Sequence, residues 1–96
     1  MNAIIVEDKD NVAVAVEPIK KGETVDYVRH DGEEEKLTAV DDITIYHKVA
    51  VCDIAKGDPI IKYGETIGLA ACDIKAGEHV HTHNVADLQR TKREGE

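Results

Sequence analysis

The chain has 96 residues, enough for one small domain but not for two independently folded ones. With 20 acidic residues against 12 Lys and Arg, its formal net charge is −8 and its pI near 5.0, so its surface repels phosphate backbones and nucleic-acid binding is disfavoured. The 42% of hydrophobic residues excludes wholesale disorder, and with no Trp, no Phe and 3 Tyr the core must be built from Val, Ile, Leu and Ala.

Such small side chains bury little area each, so a partner subunit or a homo-oligomer would add to a modest stability. Met1 to Glu7 lacks the basic region and long apolar run of a secretory signal. No window approaches the ~18 apolar residues of a membrane helix. A cytoplasmic protein off the membrane is expected. Cys52 and Cys72 fit a reducing compartment where thiols stay free.

In chain order, Ala3 to Val6 is a short β-branched run and reads as a strand. Asn11 to Val16 (NVAVAV) alternates valine with alanine, a strand with one small-residue face for close packing. Pro18 and Gly22 bracket a turn, and Thr24 to Val28 returns as a strand. Asp31-Gly32 signals a hairpin, with the following three glutamates expected in a solvated loop tip. Lys36 to Val40, Lys48 to Cys52, Pro59 to Tyr63 and Thr66 to Cys72 read as further strands. Gly68 marks a bulge or a close backbone approach within the last of these. Glu78 to Val85 reads as a final strand. Residues 1–86 form the domain, and residues 87–96 a polar tail, frayed helix or disordered.

Three segments repeat: AVEPIKKGETV (15–25), AVCDIAKGDPI (50–60) and AACDIKAGEHV (70–80). Each is a small-residue strand, a sharp glycine-closed turn with an internal isoleucine (Ile19, Ile54, Ile74), and a second strand. The unequal offsets exclude a solenoid. Three such corners, with no helical periodicity before the tail, imply a compact all-β domain of bent strands.

Candidate chemistry concentrates between Gly77 and Asn84, which hold three of the 5 histidines. Strand alternation would set His79, His81 and His83 in one row. Such a row can ligate a divalent transition metal, shuttle protons, or be a polar strand edge. Lys62 and Tyr63 are adjacent, so a strand would point them to opposite faces. Lys62 is either an anion clamp or a surface lysine. The two cysteines occupy equivalent repeat positions and read as small buried hydrophobes. The chain has no phosphate loop, nucleophile elbow, HExxH or CxxC, so no complete active site is visible.

The words HKVAVCDIAKGDPIIKYGETIG and DIKAGEHVHTHN, with NVAVAVEPIKKGE before them, carry a resemblance over about residues 11–85. They resemble the small SAF domain of the altronate and galactarate dehydratases and the small subunit of sulfolactate sulfo-lyase. One departure is Tyr46, which stands where that pattern usually has a glycine before His-Lys. The resemblance implies a SAF-type β-clip fold. It also implies the small subunit of a lyase that eliminates water from a sugar acid, or sulfite from sulfolactate. The cofactor would be Fe(II) or another divalent metal, held mainly by a separate large lyase subunit. On this expectation His47, His81 and His83 are catalytic, and Lys62, Tyr63 and Asn84 bind substrate. His79, His81 and His83 are the metal ligands, shared with the partner. The alternative is a non-catalytic sugar-acid-binding or assembly module.

Overall fold

A computed structural model describes residues 1–29 and 31–86; the expected tail at residues 87–96 lies outside the described residues. Nine short strands and no helix are present among them. They are β1 (Ala3–Ile4), β2 (Val12–Ala15), β3 (Thr24–Val28), β4 (Glu34–Thr38), β5 (Lys48–Ala50), β6 (Pro59–Lys62), β7 (Glu65–Ala70), β8 (His79–Val80) and β9 (Val85–Ala86). They form a central sheet in the order β1-β2-β5-β8, a β3-β4 hairpin and a β6-β7-β9 sheet, with every pairing antiparallel.

Alternation in the central sheet divides its residues between two cores. Ala13, Ala15 and Val49 join Ala3, Ile5, Ile19, Val25, Tyr27, Ala39 and Ile43 in one. Val12, Ala50 and Val80 join Ile54, Ile60, Ala70 and Ile74 in the other. Alanine allows close approach but contributes little transfer energy. Ile19, Ile43, Ile54 and Ile74 are each no more than 3% exposed. At about 1.5–3 kcal/mol for each fully buried side chain, such isoleucines supply more than the alanines around them.

Four corners, not three, build the framework. Residues 39–49 (AVDDITIYHKV) repeat the unit of 15–25, 50–60 and 70–80. In each corner the fourth residue of the turn has positive φ: Gly22 (90°), Tyr46 (69°), Gly57 (89°) and Gly77 (92°). Tyr46 thus stands in a left-handed conformation that favours glycine, which accounts for the glycine of the resembled pattern. Its disguise as tyrosine is why the fourth copy escapes a search for glycine-closed turns.

The corners dock in reciprocal pairs. Gly22 N–H donates to the Ala39 carbonyl and Tyr46 N–H to that of Ala15; Gly57 N–H donates to Ala70 and Gly77 N–H to Ala50, all at 2.7–2.8 Å. The isoleucines bridge across each pair, Ile19 with Ile43 and Ile54 with Ile74. Aspartates reach across as well: Asp42 accepts from Lys21 N–H, Asp73 from Lys56 N–H and Asp53 from Ala76 N–H. Pro18 holds the fourth equivalent position and has no oxygen to offer.

Several local expectations change. Glu34 and Glu35 lie in β4, opposite Val28 and Tyr27, rather than in the hairpin tip, although they remain exposed. Cys52 and Cys72 are exposed rather than buried, because each sits just outside the strand at the start of a corner. Gly68 does mark a close approach: a Cβ there would lie 2.6 Å from Val85 Cγ1 and 2.8 Å from the Ala86 carbonyl oxygen. The β6–β7 register shifts beside it, between Ile60 and Ile61. The expected strand from Glu78 to Val85 is broken into β8, a turn over residues 81–84, and β9.

Gly57 and Gly77 separate backbone strain from packing. Both have φ near +90°, but a Cβ on Gly57 meets open space whereas one on Gly77 collides with the Thr38 carbonyl oxygen. Gly57→Ala is expected to cost about 1–2 kcal/mol, the left-handed backbone penalty alone. Gly77→Ala should lower the urea midpoint clearly further; equal midpoints would show that the two pairs of corners do not press together there.

Candidate functional site

The second and fourth corners meet where β5 pairs with β8, with Lys48 opposite Val80 and Val49 opposite His79. In the first and fourth corners the residue after the positive-φ position is an acid that caps its own turn. Glu23 Oε1 accepts from Lys20 N–H and Glu78 Oε1 from Lys75 N–H. The second corner has His47 at that position. An imidazole cannot repeat the carboxylate cap, and its ring lies instead against the histidines of the fourth corner.

Three rings stack there. His47 and His81 have centroids 4.2 Å apart and planes 14° from parallel; His47 and His79 are 5.0 Å apart, and His79 and His81 5.5 Å. His47 Nδ1 lies 2.8 Å from His79 Nε2, a hydrogen bond whose donor is set by the tautomer. One ring nitrogen from each of the three falls within 4.8 Å of the others. His83 stands beside His79 at 5.4 Å with its ring tilted 37°, exposed at the edge and outside that convergence.

The broken strand explains this geometry. Asn84 Oδ1 accepts from His81 N–H and its amide nitrogen donates to the His79 carbonyl, closing residues 81–84 into a turn. Simple alternation along an extended strand is lost, and His81 is carried over His47. Asn84, expected to touch substrate, is 2% exposed with its amide spent inside the loop. It positions the histidines. Asp41 adds an anchor, accepting from His79 N–H at 3.1 Å.

Lys48, next to His47 in the sequence, joins the candidate site. With Ile67, His81, Thr82 and Val85 it lines an open groove of about 390 Å³, a size within the roughly 300–1,000 Å³ range of small-molecule sites. Burial and then the neighbouring Lys62 pull the Lys48 pKa down from 10.5. Lys62 Nζ lies 4.8 Å from the centre of the Tyr63 ring, over its face. The expected opposite-face arrangement fails because Tyr63 leaves the strand with φ 55°, folding its ring back under the lysine. A patch of lysines and imidazoles thus interrupts an acidic surface.

Burial lowers the His79 pKa below 6.5, with His47, His83 and His81 adding to the effect and Asp41 opposing it. Burial also lowers that of His81, followed by His47, Lys48 and His83. Both rings are therefore biased to the neutral form, with a lone pair available at neutral pH. The Cys52 thiol moves the other way for a nucleophile. Although the residue as a whole is exposed, partial desolvation and then Asp53 raise its pKa.

A family model of the altronate/galactarate dehydratase SAF domain matches residues 1–88. The chain belongs to that family. It is 43% identical over 84 residues to altronate dehydratase from Escherichia coli, covering 88% of this chain and 16% of the relative. It is 41% identical over 90 residues to the altronate dehydratase of Bacillus subtilis, covering 90% of this chain and 17% of that protein. The chain thus spans about a sixth of the length of these dehydratases. A further relative, (2R)-sulfolactate sulfo-lyase subunit alpha from Chromohalobacter salexigens, is 36% identical over 92 residues, covering 93% of this chain and 94% of that subunit. The all-β architecture is that of a SAF domain, and no helix among the described residues is long and apolar enough to cross a membrane.

The lowered histidine pKa values set a pH dependence for this SAF domain. An unfolded histidine protonates near 6.5, before the folded His79 and His81 do. Between those points the unfolded state binds more protons, so stability is full above 6.5 and falls as the pH drops toward the depressed folded values. Thermal melts in a chelator should show the melting temperature declining from about pH 7 to pH 5, and a shallower decline in His79→Gln. An equally steep decline in that variant would assign the effect to other groups.

Proposed function

We propose that the chain is the small subunit of a cytoplasmic lyase that eliminates water from a sugar acid of the altronate type, or sulfite from sulfolactate. It would act beside a larger lyase polypeptide. The single observation that carries this reading is the clustering of His47 and His79 with His81, which lines a groove together with Lys48. That arrangement would suit an acidic substrate. Kinship with altronate dehydratases and with a sulfo-lyase subunit of nearly the same length supports it.

Elimination beside a carboxylate needs an anchor for the carboxylate, a base for the α-proton, stabilisation of the developing enolate and an acid for the leaving group. Lys48 and Lys62 would anchor the carboxylate, and the Tyr63 ring would hold the Lys62 ammonium in place. His47 and His81 would present ring nitrogens to the reacting end of the substrate. His83, exposed at the edge, would carry the proton to the leaving group. The convergent imidazoles fit a divalent transition ion as donors. Fe(II) or another divalent metal, held mainly by the larger polypeptide, would supply Lewis-acid stabilisation of the enolate. Docking of this edge over the mouth of the site would exclude water.

The test is turnover of altronate, galactarate and sulfolactate by the assembled complex. His81→Ala, His47→Ala and Lys62→Ala should each cut turnover at least about tenfold while the two chains still co-purify. Unchanged turnover in all three would sink the catalytic reading. Calorimetric binding of the same acids to this chain alone, with turnover indifferent to the variants, would favour a sugar-acid-binding or assembly module instead.

A further inference from the structure

We propose that His47, His79 and His81 form a three-imidazole site that holds one divalent transition-metal ion on this chain by itself, separate from any ion in a larger polypeptide. The ligand set differs from the row of alternate histidines that the sequence suggests. It draws one ring from the second corner, one from the fourth and one from the turn that follows it, and it leaves out His83.

Three features carry the inference. The first is convergence: one nitrogen from each ring lies within 4.8 Å of the others, and one pair is already at 2.8 Å. Tetrahedral coordination with bonds of about 2.0–2.1 Å puts donor nitrogens about 3.3 Å apart. The closest pair must open by about half an ångström and the others close by up to about 1.5 Å, and the near-parallel rings must rotate about their side-chain torsions to aim their lone pairs at one ion. The second is framing. His79 opens β8 opposite Val49 and His47 immediately precedes β5, while Asn84 and Asp41 fix the backbone N–H groups of His81 and His79. Fixed ligands lose little freedom when an ion binds. The third is ligand chemistry. An all-imidazole set is borderline-soft and suits zinc, cobalt, nickel, copper or iron over calcium or magnesium.

Three protein ligands leave a fourth position open, the arrangement of catalytic rather than structural sites. His81 belongs to the ligand set and also lines the groove with Lys48, so the site borders that groove. The Lys48 ammonium opposes a dication while the Asp41 carboxylate beside His79 offsets it, so the site is expected to exchange its ion with chelators. An ion there would border the groove that Lys48 and His81 line, with Lys48 on the carboxylate of an acidic ligand and the open position on its hydroxyl. This last step rests on the lyase reading; metal binding does not.

The experiment is titration of the 96-residue chain, in a Cys52→Ser/Cys72→Ser background, with cobalt(II) followed by visible absorption and with zinc(II) followed by calorimetry. Saturation at one ion per chain is expected, with d–d bands of a nitrogen-ligated cobalt centre. His79→Gln and His81→Gln should each weaken binding roughly tenfold or more, and His83→Gln should leave it unchanged. His81 lies in a turn outside the strand pairing, so His81→Gln tests the site without touching β8, and far-UV spectra verify the fold of each variant. Absence of saturable binding, full affinity in His79→Gln and His81→Gln, or an equal loss in His83→Gln would overturn the proposal. Because turnover is not measured, failure here leaves the lyase reading standing, and failure of the lyase assay leaves this site standing.

Discussion

The fold depends on one repeated exchange of hydrogen bonds. The residue that closes each corner turns its N–H, through a positive φ, onto the carbonyl of the alanine that opens the opposite corner. The exchange is mutual, so neither corner of a pair can form its bonds without the other. Each donor loses its protein partner if the opposite corner is missing, and for Gly77, which is buried, an unpaired N–H would cost about 1–3 kcal/mol. The isoleucine bridges fill the space between the crossed turns. A chain whose one core aromatic is Tyr27 thereby obtains two cores mostly from small residues, because the turns let backbones approach where bulky side chains would hold them apart.

That symmetry also explains where the candidate site lies. Three corners close with glycine followed by Glu or Asp; the second closes with Tyr46-His47-Lys48. The departures are the residues of interest. The backbone of the second corner keeps the same hydrogen bonds as the others, with Tyr46 tolerated in a left-handed conformation because its side chain points to solvent, 72% exposed. Since the framework is carried by main-chain groups, the side chain after the closing residue is released from capping and is available for chemistry. Pairing of β5 with β8 then delivers it to His79 and His81 from 32 or more residues away.

Much of this was legible in the sequence, and the gaps have physical causes. Alternation in NVAVAV and the glycine turns give the strands and three of the corners. The isoleucine plugs are visible because buried turns need one apolar residue at a fixed offset. The fourth corner is hidden because a left-handed residue need not be glycine when its side chain is free of contact. The histidine row misleads because strand alternation assumes an extended backbone, and Asn84 at the end of the run folds it instead. An asparagine's reach to its own neighbours is a local competition that residue spacing does not reveal. Lys62 and Tyr63 fail for the same reason, since the chain turns at Tyr63. The exposed cysteines show that equivalent positions in a repeat share an environment, but not which one. Lys48 adjoins His47 in the sequence, but only the tertiary fold sets it beside His81.

The loop closed by Asn84 has a wider consequence. Its amide fixes both the entry and the exit of residues 81–84 through main-chain atoms alone. The side chains at 81, 82 and 83 contribute nothing to that closure. The loop therefore behaves as an interchangeable cassette: its frame is set from outside the three positions, and its chemical surface is written entirely within them. A scaffold of this kind can acquire a different ligand preference by exchange at positions 81 to 83 without first relearning how to fold.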